Sequence, residues 1–223
     1  MTAVTHGGGR RVSRPPALEA FADALRGAPC RVVGLDESSR ALPAMRWRAD
    51  ADSSDDALLR RCAGATVDIG CGPGRMTQAL MTSGLHALGV DVVAEAVEQT
   101  RARGALALQR DVFKTLPGES RWNTALLADG NIGIGGDPHR LLRRVGELLA
   151  GDGRLVVDLA APGGPVTTHR LGLEVDGVLS RRFPWAVVPA DQIEALAVAT
   201  SLRVLEVVNH HGRWFAELAK GGC

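Results

Sequence analysis

The chain is 223 residues long, enough for one α/β domain with a modest appendage and a substantial core, and too short for two full catalytic domains. Its 26 Lys+Arg against 25 Asp+Glu leave a formal charge of +1, which gives no general electrostatic reason to expect DNA, RNA or an anionic membrane as partner and makes a small molecule the default. Cys30, Cys62, Cys71 and Cys223 form no C-x-x-C pair and read as reduced thiols of a cytoplasmic protein, and no run approaches the roughly 18 apolar residues of a membrane span.

Gly7-Gly8-Gly9 and Arg10-Arg11, with no apolar core of the kind a signal peptide needs, predict a mobile tail over residues 1–16. Ala17 to Arg26 then sets Leu18, Phe21, Ala22 and Leu25 on one helical face before Gly27 stops it. Cys30 to Leu35 and Ala41 to Trp47 read as short strands around a polar turn at 36–39. The acidic stretch from Ala49 to Asp56 is loop-like, and Ser53 or Ser54 is expected to cap a helix from Asp55 to Cys62, with acids favourably placed in its first turn. Capping accounts for these acids better than a metal does, and no histidine trio has zinc spacing, so no metal is expected.

From Thr66 the pattern becomes a regular alternation of strand and helix, which indicates a parallel sheet. Thr66-Val-Asp-Ile-Gly-Cys-Gly-Pro-Gly-Arg75 joins a β-branched run to a glycine-rich turn and a helix start. Gly70 and Gly72 allow positive φ and close approach by a ligand, and Asp68 stands two residues before the first glycine. His86 to Asp91 is a second strand and Val92 to Arg103 the next helix. Ala105 to Gln109 is a third strand closing on Arg110-Asp-Val-Phe113. Trp122 to Ala128 is a fourth, followed by Asp129-Gly-Asn131. Ligands of open α/β sheets sit at the carboxyl ends of strands, so Asp91 and Asp111 should face the same crevice as the glycine turn. Gly130, Gly133, Gly135 and Gly136 make either a loop that approaches a ligand or a tight route into the next helix. Asp137-Pro138 opens that helix as cap and first position, and Asp152-Gly153 turns into a fifth strand, Arg154 to Leu159. Pro162-Gly-Gly-Pro165 breaks the alternation. His169 to Val175 and Val178 to Phe183 read as a hairpin across Asp176-Gly177, a pair suited to a type I′ turn. A helix from Gln192 to Ala199 and two strands, Leu202 to Asn209 and Trp214 to Ala219, end the chain.

The acid-x-G-x-G-x-G run from Asp68 to Gly74, and a terminal antiparallel pair after five parallel units, resemble the class I S-adenosylmethionine-dependent methyltransferases over about Cys62 to Lys220. The resemblance implies a seven-stranded Rossmann-like sheet, mostly parallel with an antiparallel last strand and helices on both faces. It implies an N-terminal cap or lid over 17–61 and a methyltransferase domain over 62–223 with an inserted β-hairpin at 162–188. The cofactor would be S-adenosyl-L-methionine, wrapped by Asp68, Gly70, Cys71, Gly72 and Gly74. Asp91 would meet the ribose hydroxyls, with Val92 beside it also at the cofactor, and Asp111, Val112 and Phe113 the adenine. Asp129 would border the methionine part and the acceptor. An acid at Asp91 would serve a nicotinamide dinucleotide fold equally well; Asp111-Val112-Phe113 is what separates the two. The DNA-base methylating branch carries Asn/Asp-Pro-Pro-aromatic where this chain has Asp129-Gly-Asn-Ile-Gly, which disfavours nucleobases. By position, Asp129, Asn131 and His139 are the catalytic candidates, while Trp47, Phe183 and Trp185 could wall an acceptor pocket or pack a core. The expected activity is methyl transfer to a small molecule. The alternatives are methylation of protein or RNA, favoured by a basic patch at Arg140, Arg143, Arg144 and Arg181, and a non-catalytic cofactor-binding partner subunit. Oligomeric state is not legible.

Overall fold

The computed structural model describes residues 14–35 and 38–221. The expected tail therefore lies outside the described residues up to 13, as do part of the 36–39 turn and Cys223. Arg14 and Pro15, at the end of that stretch, are held: their carbonyls accept hydrogen bonds from the side chain and backbone N–H of Arg181.

The first helix, α1 (Ala17–Arg26), ends at Gly27, whose φ of 110° returns its N–H to the helix carbonyls. There follow β1 (Cys30–Val33), β2 (Arg40–Ala41), α2 (Ala44–Arg48) and α3 (Ser53–Leu59). The strand expected from Ala41 to Trp47 is thus mostly helix, because Pro43 cannot extend a ladder and instead starts a helical turn. Asp52, rather than either serine, caps α3. Its carboxylate accepts from the N–H groups of Ser54 and Asp55, and Asp55 accepts in return from the N–H of Asp52.

The alternation then runs β3 (Thr66–Ile69), α4 (Arg75–Thr82), β4 (Ala87–Asp91), α5 (Ala94–Ala102), β5 (Ala107–Gln109), β6 (Trp122–Leu127), α6 (Pro138–Leu148) and β7 (Leu149–Leu159). Asp152-Gly153 lies inside β7 rather than before it, since Leu149 already pairs with Trp122 and a register shift after Trp122 absorbs the extra residues. The chain finishes with β8 (Thr167–Val175), β9 (Val178–Leu179), β10 (Phe183–Val187), α7 (Ile193–Ala199), β11 (Leu202–His210) and β12 (Arg213–Lys220).

Seven strands form one sheet in the order β11-β12-β7-β6-β3-β4-β5. Neighbours from β7 to β5 are parallel, and β12 is antiparallel to both β7 and β11. Helices cover both faces, as alternate residues show: Ala125, Leu127, Val157 and Ala216 pack with Leu141 of α6 and Ile193 of α7, while Leu126, Val156 and Phe215 pack with Leu58 of α3 and Leu80 of α4. This is the expected sheet.

A second, antiparallel sheet runs β10-β8-β1-β2, with β9 also on β8. It joins the N-terminal segment to the excursion after β7: Cys30 pairs with Val175 and Val33 with Gly172. Asp176 and Gly177 turn from β8 to β9 with φ of 48° and 75°, as a type I′ turn requires. The strand expected from Val178 to Phe183 is split, because the register of β8 against β9 and β10 slips by one residue between Leu179 and Phe183, and the buried Ser180 fills the gap by bonding Leu173. Single bridges from Ile134 to Trp185 and from Ala160 to Pro189 fix this sheet beside the carboxyl ends of β6 and β7. Among the described residues no helix is long and apolar enough to cross a membrane.

Candidate functional site

The turn after β3 needs its glycines for three different reasons. Gly70, Gly72 and Gly74 all have positive φ, at 73°, 53° and 85°. A methyl group on Gly70 would stand 2.7 Å from the Asn131 amide nitrogen, and one on Gly74 would stand 2.5 Å from two side-chain atoms of Thr100. One on Gly72 would meet nothing within 4 Å. Gly72 therefore faces open space, whereas Gly74, the N-cap of α4, is bare so that α5 can pack.

That open space is a cavity of about 670 Å³ between the strand tips of the large sheet and the second sheet, within the roughly 300–1,000 Å³ usual for small-molecule sites. Of the residues singled out from the sequence, Asp68, Gly70, Cys71, Gly72, Asp91, Val92, Asp111, Val112, Asp129 and Asn131 line it together. Gly74, Phe113 and His139 do not. Phe113 turns the other way, under the guanidinium of Arg140 at 4.0 Å and against Gly135, and His139 is exposed in the first turn of α6.

Four carboxylates give this rim its electrostatics. Asp91 accepts from the N–H of Gly72 at 3.0 Å and of Val93 at 2.9 Å, leaving each oxygen a free lone pair; burial raises its pKa in spite of these bonds. Asp111 accepts from the N–H of Phe113 at 2.9 Å. Asp68 is 1% exposed and accepts from the Thr77 hydroxyl at 2.6 Å. Burial pushes its pKa up to about 7 against that bond, and repulsion from Asp129 and Asp91 adds to the rise. Burial also carries the Cys71 thiol well above its usual range, so it sits here as a small neutral group.

Arg75, whose role the sequence did not reveal, governs one of the two catalytic candidates that do line the cavity, Asp129. It is 3% exposed and donates to both carboxylate oxygens of Asp129, at 2.8 and 2.6 Å, and to Asp55. Arg213 of β12 completes the group, donating to Asp158 at 2.7 Å and Asp55 at 2.6 Å, while the N–H of Asp129 donates to Asp158 at 2.9 Å. With both oxygens engaged, Asp129 is a fixed negative charge rather than a free general base. The amide nitrogen of Asn131 donates to the carbonyls of Ile69 and Gly70, both at 2.9 Å. It braces the glycine turn. The arginine after the third glycine was the only available signal, and its partners Asp55 and Asp129 are brought in from two other segments.

The wall facing these acids comes from elsewhere: Phe21 and Leu25 of α1, Trp47 of α2, Leu173 of β8, and Phe183 and Trp185 of β10. The site is therefore charged on one side and apolar on the other.

Residues 66–153 match a family model described as a methyltransferase domain. A crystal structure of a SAM-dependent methyltransferase from Bacteroides fragilis, in complex with S-adenosyl-L-homocysteine, superposes with a TM-score of 0.78 at 20% identity, over 94% of this chain and 96% of that one. The 1,6-didemethyltoxoflavin-N1-methyltransferase of Burkholderia thailandensis gives 0.56 at 18% identity, over 76% and 80%. A sugar N-methyltransferase from Streptoalloteichus gives 0.56 at 16%, over the whole of both chains. No curated protein sequence is similar enough to match.

Proposed function

We propose, from its fold and from the match of residues 66–153 to a methyltransferase domain, that the chain is a class I, Rossmann-like, S-adenosylmethionine-dependent methyltransferase whose methyl acceptor is a small molecule held in the 670 Å³ cavity. The observation that carries this reading is the cavity itself, enclosed between two sheets and opening at Gly72 onto the carboxylates of three successive strand tips.

The residues suit the donor. Asp91 has lone pairs left for two vicinal hydroxyls, Asp111 and Val112 offer a carboxylate and an apolar face at the next strand tip, and Asp129 adds negative charge toward a cationic ligand. The donor supplies a methyl group on a sulfonium with its own leaving group, so the chain's task is orientation and exclusion of water. Asp129, clasped by Arg75, holds a negative charge at the rim, and Asn131 holds the turn that carries Gly72. A macromolecular acceptor is poorly served. Of the four arginines that could have formed a basic patch, Arg144 is engaged by Glu119, Glu147 and two carbonyls, Arg140 lies over Phe113, and Arg181 holds Arg14. Both neighbours described with named substrates act on small molecules, which supports the same reading. Buried free thiols at Cys30, Cys62 and Cys71 support a cytoplasmic location.

Calorimetry with S-adenosylmethionine on the wild type and Asp91→Ala tests the donor side: losing two hydrogen bonds to a carboxylate should weaken binding about tenfold or more. Equal affinities would remove Asp91 from the site. Incubating the protein with metabolite extracts and methyl-labelled S-adenosylmethionine, followed by mass spectrometry, tests the acceptor. Label appearing only in macromolecules would refute the proposal.

A further inference from the structure

The acceptor wall has a composition of its own. The chain has no Tyr, and two of its four Phe and two of its four Trp line this one cavity: Phe21, Trp47, Phe183 and Trp185. All four are half-buried; Phe21, Trp47 and Phe183 pack by one side on the cluster of Ala20, Ala44 and Leu173 and contribute the other to the cavity. Phe21 and Phe183 lie 5.6 Å apart at 55°, and Phe183 and Trp185 6.4 Å apart at 87°, so faces and edges alternate along the wall. Such a run suits a flat ring that stacks on one neighbour and meets the edge of the next. Every charged side chain among the described lining residues stands on the opposite side, at the tips of the large sheet: Asp68, Arg75, Asp91, Arg110, Asp111 and Asp129. A charged or hydroxyl-rich guest on the aromatic side would lose water and find no partner there.

We propose that this wall selects a neutral aromatic or heteroaromatic acceptor, stacked among Phe21, Trp47, Phe183 and Trp185, an inference that rests on the methyltransferase reading of the same cavity. The rings alone would also attract an organic cation, so cations are a necessary contrast.

The test uses the full chain saturated with S-adenosylhomocysteine and four probes: 2-naphthol, quinoline, tetramethylammonium and methyl glucoside. The two aromatic probes should bind at least about tenfold more tightly than the other two. Trp185→Leu and Phe183→Leu, which keep an apolar side chain, should each weaken 2-naphthol about fivefold and leave S-adenosylhomocysteine affinity within about twofold. Trp47→Leu, on a separate element, should do the same, and melting curves show which variants fold. Tetramethylammonium or the glucoside binding as tightly as 2-naphthol would overturn the proposal, and so would unchanged 2-naphthol affinity in folded Leu variants. Failure of the wild type to bind S-adenosylhomocysteine, titrated alone, would instead refute the donor assignment.

Discussion

Gly72 and Gly74 are two residues apart, both with positive φ, yet their substitutions should fail in different ways. Gly72→Ala places a methyl in open cavity, so it should cost about 1 kcal/mol of stability from the left-handed backbone and lower S-adenosylmethionine affinity further. Gly74→Ala collides with Thr100 and should cost more stability while leaving the affinity of the folded fraction nearly unchanged. Urea denaturation and calorimetry on the pair separate a glycine kept bare for a ligand from one kept bare for packing. Asp68 makes a pH prediction of known sign. Its pKa is about 7 folded against 3.8 ordinarily, so between those values the folded chain keeps a proton that the unfolded chain has lost. Stability must fall as pH rises through that window, and the loss persists above it. Asp68→Asn should remove this slope and be the more stable protein at pH 8, by up to roughly 4 kcal/mol at about 1.4 kcal/mol per unit, with little difference below pH 4. Equal slopes in the two proteins would show that Asp68 is not the group responsible.

At the scale of elements, one ionic group ties α3, the start of α4, the loop after β6, the end of β7 and the start of β12. Arg75→Met would leave Asp55, which is 1% exposed, with one arginine fewer and leave Asp129 only its 3.7 Å ion pair with Arg213. Breaking such a buried pair should cost about 3–5 kcal/mol in chemical denaturation, and adding Asp55→Asn should recover part of it. Simple additivity of the two changes would mean that the contacts do not act as a unit. Elements were legible where a local rule governs them: the strand and helix alternation from Thr66, the Asp137-Pro138 entry with its cap bond to Arg140, and the Asp176-Gly177 turn. They were illegible where partners are remote. Ala41 to Trp47 has the composition of a strand, but only Ala41, with Arg40 before it, joins a ladder before Pro43 intervenes, and the split of β9 from β10 follows from a slip against β8.

Across the whole molecule, the carboxylate side of the cavity was readable and the aromatic side largely was not. Asp68, Gly72, Asp91 and Asp111 sit at strand tips whose order a parallel sheet dictates, so spacing along the chain translates into neighbourhood in space. Phe21 and Leu173 belong to segments whose meeting no periodicity announces. The same pairing has a consequence for how the protein comes into being. β1 is made well before β8 and until then has only the two-residue β2 to lie against, so the aromatic enclosure should be among the last parts to assemble and among the first to open. Hydrogen exchange should find amides of β1 and β8 trading with solvent well before those of β3 and β6. If so, the cavity proposed for the acceptor is also the weakest seam of the molecule.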